Sequence, residues 1–266
     1  MSPDDRLRTL RSLPTMSAGK VPRATSAQMS EVDRIASDGL GVPLDTLMEN
    51  ASRQIAAATR VVYGELAGKD VVALAGKGNN GGDALGALPY LRDAGAIIDA
   101  YCVARRDGLS VLEGIRHDAL TKAGVAVHDT TAMDDQSIVR RLGRADIVID
   151  GLLGYGAVRP ARGEPARLIL LAMAADTPRK TIAVDIPSGL HPDTGTRALE
   201  PQGGVMHAAV TVTLGAAKPG LLVKAARIAV GELVVADIGI PPEAFARIKI
   251  DTRSLFARGD LVRVTF

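Results

Sequence analysis

Six short apolar runs set most of what this chain can fold into. Residues 71–75, 97–103, 147–150, 181–185, 210–214 and 233–236 are dominated by Val, Ile, Leu and Ala and lack the polar alternation of a half-exposed strand. A strand with that texture is buried on both faces, and such strands belong to parallel sheets whose two sides are covered by helices. Helical spacing recurs between the runs, over 82–94, 111–123, 138–144 and 165–175, and these segments can serve as the crossover connections a parallel sheet requires.

Two more helices precede the first run. Ser26 can cap a helix over 26–38, where Met29, Val32, Ile35 and Ala36 share a face. After Pro43, residues Leu44, Leu47, Met48, Ala51 and Ile55 mark a second. No internal repeat and no linker divides the chain. The expectation is an α/β fold: a single Rossmann-like three-layer α/β/α domain with a mostly parallel sheet and an N-terminal helical extension. It spans 26–250, preceded by a disordered tail over 1–25 and followed by a C-terminal extension over 251–266.

The tail expectation rests on polar, basic texture with Pro3, Pro14 and Pro22. It lacks the apolar core of a secretory signal, and Asp4 and Asp5 argue against a mitochondrial transit peptide. Composition excludes several roles. With 32 Lys+Arg against 30 Asp+Glu there is no electrostatic footprint for nucleic acid. No apolar stretch reaches the roughly 18 residues of a membrane span. The lone Cys102 can form neither an internal disulfide nor a zinc site, which suits a reducing, cytoplasmic setting. Aromatics are 3% with no Trp, so stacking platforms for bases are not expected.

The first run leads into Gly76-Lys77-Gly78-Asn79-Asn80-Gly81-Gly82-Asp83. Gly76, Gly78 and Gly81 satisfy G-x-G-x-x-G, the dinucleotide fingerprint, in which glycines admit an anion to backbone N–H groups at a helix N-terminus. Two details depart from a dehydrogenase. The ribose-binding acid should end the second strand, yet Asp99 lies inside its run, and Asn79, Asn80 and Asp83 exceed what a glycine turn needs. Asp83 also suits a helix cap, and Pro89 should kink the helix that follows.

Two further strand ends carry polar residues and glycine turns: Asp150 before Gly151, and Asp185 before Ile186-Pro187-Ser188-Gly189. Ligands in open α/β sheets bind outside the carboxyl ends of the strands. Asn80, Asp150 and Ser188 offer hard oxygen ligands, better suited to an alkali or alkaline-earth ion than to zinc. Arg159 and Arg162 could neutralise phosphate, and Lys218, after the run ending at Leu214, could reach the same edge. His117, His128, His191 and His207 are scattered without metal-ligand spacing, and no G-x-S-x-G elbow is present.

Together, Gly78–Asp83, Asp150 with Gly154-Tyr155-Gly156, and Val184-Asp185-Ile186-Pro187-Ser188-Gly189-Leu190 resemble the YjeF N-terminal domain family, the NAD(P)H-hydrate epimerases. The similarity extends from Met29-Ser30-Glu31-Val32-Asp33 and Leu47-Met48-Glu49-Asn50-Ala51 to Lys218-Pro219-Gly220 and Val235–Pro241. One departure is Ala84, where the family commonly has another Gly. The resemblance implies that Asn79, Asn80, Gly81, Gly82, Asp83, Gly154, Tyr155, Gly156, Ala157, Val158, Arg159, Pro160 and Asp185 bind the hydrated cofactor, NADHX or NADPHX. It implies that Asn80, Asp150 and Ser188 hold one potassium ion per subunit, and that the protein is a homodimer. Larger members carry a fused dehydratase; the stretch after Pro241 is too short for one, so functional coupling to a separate NAD(P)H-hydrate dehydratase is expected.

The hydrated ring is a carbinolamine. Loss of hydroxide gives an iminium, and water added to the other face gives the other epimer. This asks for proton transfer in both steps, with Asp185 as the acid/base and Lys218 as its partner. Two alternatives remain: a non-catalytic nucleotide-binding or scaffolding module of the same fold, and a nicotinamide dehydrogenase, against which the position of Asp99 argues.

Overall fold

A nine-stranded sheet organises the chain, in the order β1-β9-β8-β7-β6-β5-β2-β3-β4. The computed structural model describes residues 9–196 and 204–266. The strands are β1 Thr15–Ser17, β2 Asp70–Ala75, β3 Ile97–Cys102, β4 Ala126–Asp129, β5 Ile147–Gly151, β6 Thr181–Val184, β7 Val210–Leu214, β8 Glu232–Ala236 and β9 Leu261–Thr265. All neighbours run parallel except β8 and β9. The helices are α1 Ser26–Arg34, α2 Leu44–Tyr63, α3 Asn79–Asp93, α4 Val111–Lys122, α5 Asp135–Arg144 and α6 Gly163–Ala174, followed by two short ones.

The central strands are apolar throughout because each side has its own core. In β2, Val71, Ala73 and Ala75 pack with Ile55 and Leu85 of α2 and α3, while Val72 and Leu74 pack with Ile138 of α5 and Leu168 of α6. Period-two alternation sends neighbouring residues to opposite faces, so both sets must be apolar. The two N-terminal helices belong to this core: α1 and α2 contribute Met29, Val32, Leu47, Ala51 and Ile55 to it.

Local chemistry sets the helix starts. Thr25, not Ser26, caps α1 through a reciprocal capping box with Gln28, and the amide of Ser26 donates instead to Asp193 at 2.7 Å. Ser110 and Glu113 form the same device at α4. Helix α3 starts at Asn79, so Asp83 lies inside it with a buried carboxyl and is no cap. The helix runs without interruption across Pro89. After Arg34, α1 widens into a π-helical turn over Ile35–Gly39.

Both chain ends differ from expectation. Over residues 9–25 the expected tail is ordered: Leu10, Val21 and Ala24 are buried, and β1 pairs with β9, Thr15 opposite Arg263. Residues 1–8 lie outside the described residues. The expected C-terminal extension supplies β9, which joins β8 to β1 and is therefore part of the sheet. No helix among the described residues is long and apolar enough to cross a membrane.

Candidate functional site

The strand order fixes where the site must be. From β2 the chain proceeds outward through β3 and β4, then returns to lay β5 on the other side of β2. The crevice at the carboxyl ends of β2 and β5 is the switch point where doubly wound sheets bind ligands. A cleft of about 740 Å³ opens there, lined by residues that follow β2, β5, β6 and β7 together with α1 and α2.

The glycine loop after β2 forms one wall. A side chain at Gly76 would strike the Leu152 carbonyl, and one at Gly81 would strike the backbone of Gly76. These two glycines let the β2 and β5 loops cross at contact distance. Gly78 faces open space, and beyond it the first-turn amides of α3 lack intrahelical acceptors, the arrangement that attracts anions. Lys77 lines the cleft beside them.

Asp185 sits where β6 ends, at φ 64°, a left-handed conformation uncommon for a residue with a side chain. Its neighbours hold it there. Oδ2 accepts the Tyr155 amide at 3.1 Å, and Oδ1 accepts the Leu214 amide at 3.2 Å and the Lys218 ammonium. Lys218 is fully buried and spends its other hydrogen bonds on the Leu214 carbonyl at 2.9 Å and Thr213 Oγ1 at 3.3 Å. The lysine therefore reaches the strand ends, as its position after β7 suggests.

Next to this pair, the Tyr155 hydroxyl donates to Asp33 Oδ2 at 2.5 Å, a contact between the β5 loop and α1. Burial pushes the Asp33 carboxyl above its ordinary range. Burial, with the Asp33 carboxylate beside it, pushes the Tyr155 phenol up as well. Asp83 is buried with one oxygen lacking a hydrogen-bond partner, and burial raises it well above the usual carboxylate range against the opposing pull of Arg116.

Beside the cleft, Asn80 and Ser188 converge on the Leu153 peptide, and Ser188 links it to Asp150. Ser188 Oγ donates to Asp150 Oδ1 at 2.6 Å and accepts the Leu153 amide at 2.9 Å, while Asn80 Nδ2 donates to the Leu153 carbonyl at 3.0 Å. Asp150 is fully buried and has no ion-pair partner among the described residues. Burial pushes it up to about 6. An uncompensated carboxylate with amide and hydroxyl oxygens beside it fits a monovalent cation. No group of three or more His, Cys, Asp or Glu able to hold a metal ion exists among the described residues.

Of the expected cofactor-binding residues, Asn79, Asn80, Asp83, Gly154, Tyr155, Gly156, Ala157 and Asp185 line the cleft. Gly81 and Gly82 lie behind it in the first turn of α3. Val158, Arg159 and Pro160 line, with Ala157, an adjoining pocket of about 120 Å³ near His191. The loop folds back at Gly154–Ala157, whose closing hydrogen bond measures 3.0 Å, and carries them aside. Asp99 lies mid-strand, bound by Arg141 at 2.9 Å, so no acid ends β3 to hold a ribose. His128 stacks on Tyr101 and His191 accepts two turn amides. Cys102 is buried, its thiol pushed up to about 12.

Met29, Ser30 and Asp33 of α1, and Leu44, Leu47, Met48 and Ala51 of α2, also line the cleft. In the sequence Met29, Leu44, Leu47, Met48 and Ala51 read as apolar faces of two helices, and Ser30 and Asp33 enter only through the family resemblance.

A doubly wound α/β domain with a glycine-rich anion cradle and a buried Asp–Lys pair at its switch point belongs to the ligand-binding, nucleotide-type class. More narrowly, this chain belongs to the YjeF-related protein N-terminus family, whose family model matches residues 44–220. It is similar to an NAD(P)H-hydrate epimerase of Dehalogenimonas lykanthroporepellens, 37% identical over 89% of this chain and 90% of that protein. It is also similar to a bifunctional NAD(P)H-hydrate repair enzyme Nnr of Moorella thermoacetica, 36% identical over 88% of this chain but only 43% of the relative. The chain thus spans less than half of that bifunctional relative. Among solved structures, the yeast protein Ynu0 shares the fold with a TM-score of 0.75 at 20% identity, covering 91% of this chain and 99% of that one.

Proposed function

We propose that this chain is an NAD(P)H-hydrate epimerase, an isomerase that interconverts the R and S epimers of NADHX and NADPHX. The observation that carries the reading is the 37% identity, over nine-tenths of both chains, to a protein of that name. The cleft supports it. The α3 N-terminus with Lys77 suits a pyrophosphate, and the buried Asp185–Lys218 pair lines the space left for the ring.

In this reading Asn79, Asn80, Asp83, Gly154, Tyr155, Gly156 and Ala157 contact the nucleotide, and Asp185 moves the proton. Lys218 and the Leu214 and Tyr155 amides fix the Asp185 carboxyl at the cleft, placed to accept a proton from attacking water. Asn80, Asp150 and Ser188 would hold a potassium ion. Its positive charge, when bound, balances Asp150 and pins the β2 and β5 loops to one another.

The relatives that join this activity to a second repair activity support coupling to an NAD(P)H-hydrate dehydratase. The family resemblance also supports a homodimer, which sedimentation analysis would register as a doubled mass. A buried, unpaired Cys102 is in keeping with a cytoplasmic setting.

The test is coupled repair. Racemic NADHX is supplied with an S-specific dehydratase, this protein is added, and NADH absorbance is followed. The slow phase from the R epimer becomes fast if the reading holds, and Asp185→Ala removes the acceleration by about 10²–10⁴-fold. A folded wild-type protein that binds NADHX and leaves that phase slow would falsify the reading in favour of a sensor or scaffold.

A further inference from the structure

We propose that Asp33 and Tyr155 form the proton-donating pair of this reaction, Tyr155 meeting the leaving oxygen and Asp33 acting through it, with Asp185 as the opposite proton acceptor. The inference rests on the epimerase reading and assigns it a second proton-transfer group.

Tyr155 joins the two carboxyl groups. Its amide donates to Asp185 at 3.1 Å, its hydroxyl is 2.5 Å from Asp33, and its ring centroid lies 5.6 Å from the Lys218 nitrogen. All four side chains line one cleft. Two carboxylates therefore flank one tyrosine, in opposite electrostatic situations. Lys218 commits its hydrogen bonds to Asp185, Thr213 and the Leu214 carbonyl, which leaves none for Asp33. Asp33 has no ion-pair partner among the described residues and is held toward its neutral form by burial. A carboxyl bound by a buried ammonium and one without an ion-pair partner, on either side of one tyrosine, suit a base and an acid sharing one site. Helix α1 also widens into its π turn at Ile35, two residues beyond Asp33, and such turns gather at functional sites.

The phenol of Tyr155 holds its proton too tightly to act alone. When Asp33 is protonated the hydrogen bond between the two side chains reverses: Asp33 donates to the phenolic oxygen, and the phenolic hydrogen turns toward the substrate. The Tyr155 proton then goes to the substrate hydroxyl as the C–O bond breaks, and its electron pair leaves as water. The ring-nitrogen lone pair closes the C=N bond, and the Asp33 proton replaces that of Tyr155. Water adding to the other face re-forms the C–O bond, the C=N pair returns to nitrogen, and the excess proton passes to Asp185. Exchange with solvent restores Asp33 and Asp185 to their starting states.

The experiment is the coupled repair assay with wild type, Asp33→Asn, Asp33→Glu and Tyr155→Phe, alongside NADH binding by calorimetry and thermal melts. We expect Asp33→Asn and Tyr155→Phe to lower kcat about 10²-fold or more with KM and NADH affinity within about threefold. Asp33→Glu should recover at least tenfold of the loss. Wild-type kcat should fall as pH rises through the Asp33 ionisation, and the residual rate of Asp33→Asn should lack that limb. The charged and titratable groups facing Asp33 are Tyr155 from the β5 loop, Asp185 after β6, Lys218 after β7 and Asp83 on α3. An Asp33→Asn kcat within threefold of wild type overturns this inference and leaves the epimerase reading standing. If Asp33→Asn melts early or loses NADH, Tyr155→Phe decides, and an unchanged kcat there overturns the inference equally. A wild-type protein without acceleration overturns the reading beneath it.

Discussion

The two ends of the sheet treat charge in opposite ways. Toward the amino-end side of the sheet, Arg141 of α5 binds Asp70, the first residue of β2, through two nitrogens, at 2.7 and 2.5 Å, and Asp99, the third residue of β3, at 2.9 Å. Those side chains are 21%, 28% and 23% exposed, so solvent shares their charge. At the carboxyl ends, Lys218 and Asp185 pair at 1% and 4% exposure, Asp83 is buried 3.8 Å from the Arg116 guanidinium, and Asp150 is buried with no ion-pair partner among the described residues. The first arrangement is what a fold uses to tie a strand end to a helix. The second costs desolvation that a structure gains little from, and such costs persist where chemistry needs them.

The largest effect expected from breaking this contrast is at Lys218. Lys218→Met leaves the Asp185 carboxylate buried and unpaired, and should cost about 3–5 kcal/mol by urea unfolding. Adding Asp185→Asn removes the orphaned charge and should return most of that stability while coupled repair stays abolished. A double variant that regains activity would move the proton transfer off this pair.

That contrast was only partly legible in the sequence. The apolar runs located β2, β3, β5, β6, β7 and β8 to within about two residues because strands buried on both faces leave no polar break. The strands that went unread are edge or antiparallel ones. β9 reads Leu-Val-Arg-Val-Thr, β4 reads Ala-Val-His-Asp, and β1 has three residues. Half-exposed strands alternate, and short ones carry no pattern. Asp150, Asp185 and Lys218 could be assigned to one edge because parallel connectivity sends every strand's carboxyl end the same way. Asp33 could not, since its partner Tyr155 lies 122 residues away and only the packing of α1 across the sheet joins them. The direction of the loop past Ala157 was equally hidden, because turn hydrogen bonds rather than composition aim it.

The next effect is a pH dependence of stability. Asp150 rises from its ordinary 3.8 to about 6 in the fold, so the folded state binds its proton more tightly than the unfolded chain. Its contribution is fully present below the unfolded value and is lost as pH climbs through about 6, a change of ~3 kcal/mol. Asp83 and Asp33 are raised too and act with the same sign. In potassium-free buffer, chemical unfolding should therefore show stability declining from pH 5 to pH 8, and Asp150→Asn should flatten part of that slope. Added potassium should raise the melting temperature more at pH 8, where Asp150 is ionised, than at pH 5. Equal shifts from potassium and sodium at both pH values would remove the ion from Asn80, Asp150 and Ser188.

The smallest effect belongs to the other end of the sheet, and it is the control that gives the comparison its force. Asp99→Asn leaves the two-nitrogen contact between Arg141 and Asp70 intact and removes one partly solvated charge contact, so the loss should be about 1 kcal/mol or less. Because Asp99 sits mid-strand and outside the cleft, coupled repair should keep its kcat and its KM for NADHX. A large rise in KM would mean that the acid on β3 does reach a ribose hydroxyl, as in a dehydrogenase. The carboxyl-end charges would then share binding with the end assigned here to holding the fold together. An unchanged KM with a small stability loss separates the two ends by measurement: charge that solvent shares ties the sheet, and charge that solvent cannot reach serves the cleft.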